Sequence, residues 1–96
     1  MAAPPTVLIA DVKTLLGRAA TVPNVPELKD AVQLHRDLGI GDDLGRKALA
    51  APFQKIAEQH RPSAVVTRDE CAKLETVKDS ISLVAKKAGF EYEGER

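Results

Sequence analysis

The chain has 96 residues, 44% apolar and 29% charged, with 14 basic residues balancing 14 acidic ones. That length suits one domain with a modest core. The zero balance argues against nucleic acid or an anionic membrane as partner, because excess positive charge supplies most of such affinity.

Only Phe53, Phe90 and Tyr92 are aromatic, so the core must be built from Leu, Val, Ile and Ala. Cys71 is the single cysteine, which rules out an internal disulfide and suits a reducing, cytoplasmic setting. The start, "MAAPPTVLIADVK", lacks a basic n-region and its apolar run stops at Asp11, so no secretory leader is expected. No stretch reaches the roughly 20 apolar residues that span a bilayer.

Residues 1–5, with Pro4 and Pro5, read as a disordered tail. Thr6 is placed to cap a helix over 6–19, where Leu8, Val12, Leu15, Leu16 and Ala19 recur on one face. Pro23 and Pro26 then prevent a regular helix. Leu28, Ala31, Val32 and His35 keep helical spacing, which allows a short helical turn within a long connection over 20–42.

Asp42 or Asp43 is expected to cap a second helix over 43–60, in which Leu49, Phe53, Ile56 and Ala57 share a face. Pro52 predicts either a kink or a break that puts it in the first turn of a second piece. Thr67 and Glu70 fit a capping box for a short helix, "RDECAKL". Thr76 and Asp79 fit another, for a helix over 77–88 with the stripe Val77, Ile81, Val84, Ala85, Ala88 and a stop at Gly89. Residues 91–96 read as a second disordered tail, although Phe90 or Tyr92 is apolar enough to fold back. The expectation is one all-α domain over 6–90.

Two stretches within that layout carry a family resemblance. "LHRDLGIGDDL" (Leu34 to Leu44) resembles the "(L/F)xxDLGxDSL" that leads into helix two of the acyl carrier protein family. "VVTRDECAKLETVKDSISLV" (Val65 to Val84) is similar to that family's "IxDEEAEKITTVxDAIDYI" across helices three and four. With helix one, the similarity covers about 6–88. It implies an acyl-carrier-protein-like four-helix bundle with a long first loop and a short third helix. It also implies a bacterial setting related to fatty-acid or polyketide synthesis.

The departures bear on function. In the family, a serine in "DSL" carries 4′-phosphopantetheine, whose thiol holds the acyl group. The matching triplet is Asp42-Asp43-Leu44, with Asp43 at the serine position. A carboxylate offers no hydroxyl for the phosphodiester, so Asp43 is expected to be unmodified and no cofactor to be held. One extra residue lies between "DLG" and the acid pair, and the segment onward to Val65 is longer than in the family. Helix two of the family is acidic. Here residues 42–61 hold Asp42, Asp43 and Glu58 against Arg46, Lys47, Lys55 and Arg61. Partners steered toward a negative helix would gain little.

Other motifs are weaker. Gly39, Gly41 and Gly45 are not ordered as a P-loop, and no Gly-Lys-Ser/Thr follows. Asp37, Asp42 and Asp43 do not match a calcium loop, and His35, His60 and Cys71 are too scattered for zinc, so no metal is expected. Cys71 is expected on the inner face of the short helix, and Lys86 and Lys87 suit the negative end of a helix dipole. No nucleophile, base and oxyanion donor assemble, so no enzyme activity is expected.

The first functional expectation is a monomeric, non-catalytic module that binds another protein, with a synthase or ligase as the class the resemblance suggests. Its contact residues would be Asp37, Ile40, Asp42, Leu44, Arg46 and Lys47. One alternative is a divergent acyl or peptidyl carrier loaded at another serine such as Ser63. Another is an unrelated small helical regulator, which would lack the long connection and the short crossing helix.

Overall fold

Residues 2–94 are described by a computed structural model. Its helices are α1 (Thr6–Ala19), α2 (Asp43–Lys47), α3 (Ala50–His60), α4 (Arg68–Ala72) and α5 (Val77–Lys87). No strand occurs among the described residues; the single β-bridge joins Gln33 to Thr76. Helix α1 packs on α3 and α5, α3 packs on α5, and α2 packs on α4.

The expected helix over 43–60 is two pieces. Ala48 and Leu49 stay in right-handed helical conformation at the joint (ψ −18° for both). The Ala48 amide donates to the Leu44 carbonyl at 2.9 Å, and the Leu49 amide tightens to the Arg46 carbonyl at 3.1 Å. Pro52 is the third residue of α3. It has no amide to offer the Ala48 carbonyl, so the regular ladder is interrupted where the sequence removes a donor.

Caps define the other ends. Both predicted boxes form: Glu70 N donates to Thr67 Oγ1 at 3.3 Å and Asp79 N to Thr76 Oγ1 at 3.1 Å, with the acids reaching back to the Thr67 and Thr76 amides. Thr6, by contrast, does not cap α1. It is the first helical residue, Pro5 takes the cap position, and no side chain caps that end. After α5, Gly89 (φ 90°) donates to the Lys86 carbonyl and Phe90 to the Ala85 carbonyl, a complete Schellman stop.

The core runs from Leu8, Val12 and Leu16 of α1 through Phe53 and Ala57 of α3 to Val77, Ile81, Val84 and Ala85 of α5. Cys71 lies inside it from α4, on the predicted inner face. The long connection contributes to the core as well: Leu34, Leu38 and Ile40 are buried. Its backbone is tied at both ends. Thr21 N donates to the Leu38 carbonyl at 2.9 Å; Leu34 N donates to the Glu75 carbonyl at 2.8 Å and Val77 N to the Val32 carbonyl at 2.9 Å. These bonds satisfy buried backbone without a helix. The helical turn allowed after Pro26 does not form as a regular helix, and Ala31 and His35 face solvent while Leu34 and Leu38 face in.

The segment before α1 and the segment after α5 meet among the described residues. Glu91 N donates to the Ala2 carbonyl at 3.0 Å, and the Tyr92 hydroxyl donates to Asp30 Oδ1 at 2.5 Å. Phe90 and Tyr92 both pack on the core, and Pro4 is buried. Met1, Glu95 and Arg96, the remainder of the two expected tails, lie outside the described residues.

Candidate functional site

The turn from Asp37 to Gly45 leads into α2. Asp37 closes it from behind: the Gln33 amide donates to Asp37 Oδ2 at 2.8 Å, and Arg36 pairs with Oδ1 at 3.3 Å. The Gln33 amide first, and then Arg36, hold the Asp37 carboxyl below the usual range. Gly39 is needed at φ 72°, where its carbonyl accepts from Thr21 Oγ1 at 2.9 Å and a Cβ would strike that hydroxyl. Gly41 is needed for space, because a Cβ there would collide with the His35 ring.

At the start of α2 the two acids divide the work. Asp42 is the cap: Gly45 N donates to its Oδ1 at 2.6 Å. Asp43 is the first helical residue, with its side chain 72% exposed and paired to Arg46 at 3.2 Å. The first position of α2 is therefore open to solvent and carries a carboxylate. Leu44 beside it is 72% exposed, the highest value among the large apolar residues described. Val65, just before α4, is 62% exposed.

The six expected contact residues do not form one face. Ile40 is 4% exposed and belongs to the core, which corrects its assignment as a contact. It turns inward because Leu34, Leu38 and Ile40 share the buried side of the connection. Asp37 is half-buried and engaged with its own backbone. Asp42, Leu44 and, partly, Lys47 remain accessible.

Arg46 does something the sequence did not signal. It leans toward α4, with Nη1 3.5 Å from the Leu74 carbonyl and Nη2 on Asp43. Its Nε is enclosed without a hydrogen-bond partner. An unmet donor of this kind costs about 1–3 kcal/mol. The guanidinium borders a pocket of about 260 Å³ that Gln33, His35, Glu75 and Thr76 complete. Neither Glu75 nor Thr76 is legible as a neighbour of Arg46 from spacing, since about 30 residues separate them.

The chain matches no family model, no curated protein and no solved structure.

The remaining chemistry-bearing groups are dispersed. Burial first, and the Glu70 carboxylate second, push the Cys71 thiol up to about 11, so it carries little thiolate. His60 sits edge-on to Phe90 at 5.9 Å, with Nε2 enclosed and unpartnered. Ser80 is fully buried and donates to the Thr76 carbonyl at 3.3 Å, whereas Ser63 is exposed in the loop between α3 and α4. No group of three or more His, Cys, Asp or Glu positioned to hold a metal occurs among the described residues. No helix among them is long and apolar enough to cross a membrane.

Proposed function

We propose that this chain is a non-catalytic, carrier-protein-like module that binds another protein through the start of α2 and carries no phosphopantetheine. The observation that carries the reading is the exposed pair Asp43-Leu44. An acid stands where loading needs an alcohol, and a leucine beside it is open to a partner. The order of elements supports it too: a long first helix, a long connection, a bent second helix, a short helix and a closing helix.

The contact surface in this reading is Asp42, Asp43, Leu44 and Lys47. Its charges are mixed, so the partner is not a strongly basic patch; an apolar recess that takes Leu44 is the complementary feature. A synthase or ligase is the class of partner the resemblance suggests, with the module a cytoplasmic monomer. The competing reading, a carrier loaded at Ser63, draws on the exposure of that hydroxyl.

The test uses coenzyme A and a broad-specificity phosphopantetheinyl transferase, read by intact mass. Wild-type protein keeps its mass, and Asp43→Ser gains the arm. A gain by wild-type protein that Ser63→Ala abolishes would replace the module reading with the carrier reading.

A further inference from the structure

Helices α1 and α3 run antiparallel. Ile9, early in α1, shares a cavity with Tyr92, and His60, at the end of α3, sits edge-on to Phe90. The start of one helix and the end of the other thus meet the same segment. A groove of about 330 Å³ lies between the two helices, with Asp11, Leu15 and Arg18 on one wall and Lys55, Ile56 and Gln59 on the other. Ile56 is buried and Leu15 half-buried, so the floor is apolar. The antiparallel course brings Arg18 to the Pro52 end, one turn from Lys55, and Asp11 to the Gln59 end. Seven residues of helix separate Arg18 from Asp11, about 10 Å at 1.5 Å per residue. Neither Arg18, Lys55 nor Asp11 is in an ion pair among the described residues, and both cations are exposed. The opposed helix dipoles offset each other along the groove, so the side chains decide its sign: positive at one end, negative at the other.

We propose that this groove binds a phosphate monoester of the size of a nucleoside monophosphate. Its phosphate lies between Arg18 and Lys55, its body on Leu15 and Ile56, and its far end on Asp11 and Gln59. A guanidinium and an ammonium together balance the double charge of a phosphate monoester and supply enough donors for its three free oxygens. The Asp11 carboxylate only accepts hydrogen bonds, so the far end of the ligand must donate them. Adenine meets that demand, because its edge offers an amino donor beside a ring-nitrogen acceptor, a pattern a glutamine amide such as that of Gln59 also matches. The distance of about 10 Å between the charged ends is the reach of an extended mononucleotide from phosphate to base edge. The volume of about 330 Å³ lies at the low end of the roughly 300–1,000 Å³ of small-molecule sites. This inference stands apart from the docking reading, because none of these residues belongs to the surface proposed there.

The test is an amide NMR titration of the full chain with adenosine 5′-monophosphate, and with inorganic phosphate and adenosine as half-ligands. The nucleotide produces saturable shifts confined to residues 11–18 and 52–59, and binds at least tenfold more tightly than either half-ligand. Arg18→Gln and Lys55→Gln, at exposed positions that leave the fold intact, each weaken that binding at least fivefold. Inorganic phosphate binding as tightly as the nucleotide would reduce the groove to a bare anion patch and overturn the proposal. So would nucleotide binding unchanged in both variants, or no saturable shift with the nucleotide. Leu44→Asp leaves the titration unchanged, which separates this site from the protein-docking surface.

Discussion

The Glu70 carboxylate and the Lys87 ammonium lie 3.0 Å apart, and the same carboxylate closes the capping box on Thr67. One side chain thus starts α4 and fastens it to the last turn of α5. Burial works to raise the Glu70 pKa, but the bonds from Lys87 and Thr67 outweigh it and hold the carboxyl below its ordinary value. Asp37 is also lowered, by the Gln33 amide and Arg36.

Both shifts are depressions, so their stabilisation is present above the unfolded-state carboxylate pKa, about 4. It is lost as pH falls through the lower folded values. Urea midpoints are therefore expected to drop between pH 6 and pH 3. Glu70→Gln should flatten that dependence, and a midpoint slope identical to wild type would remove Glu70 from the explanation.

The division between Asp42 and Asp43 gives a second expectation. Asp42→Ala removes the cap on Gly45 N and should cost about 1 kcal/mol of unfolding free energy. Asp43→Ala removes only an exposed pair with Arg46 and should cost under about 0.5 kcal/mol. Chemical denaturation of the two variants distinguishes a structural acid from one left available for contact.

The long connection behaves as core. Leu38 is fully buried, and Leu38→Ala should cost about 2–5 kcal/mol, the range for large-to-small changes in a packed interior. A loop that merely crosses the surface would lose far less. Thermal melts of Leu38→Ala beside Val25→Ala, at an exposed position in the same connection, make the comparison.

Cys71 should be inert in the native state. With its thiol near 11 and its side chain enclosed, only about one part in a thousand is thiolate at pH 8. A thiol-specific reagent should react slowly until denaturant is added, and prompt native labelling would show that α4 opens readily.

The capping boxes at Thr67 and Thr76 were legible because they are local: a hydroxyl and an acid three residues apart decide the backbone between them. Helix α1 was legible from its stripe, but Thr6 was misread as its cap because Pro5 already supplies the extended residue that a cap position needs. The break after Lys47 was foreseen in kind from Pro52. The connection was harder, since Leu34, Leu38 and Ile40 reach the core through turns rather than a repeating period. That is why Ile40 was read as a surface contact although it is buried. Asp43 is singled out by the resemblance alone, and its exposure follows from its place after the Asp42 cap. The approach of Arg46 to Leu74 depends on α2 packing on α4, which no spacing within either segment reveals.

The central claim is that the exposed first residue of α2 bears a carboxylate and the protein goes unloaded. Intact mass of the protein purified from its native host tests this directly. A mass equal to that of the bare chain is the predicted result, and an added pantetheine arm on any side chain would contradict the account.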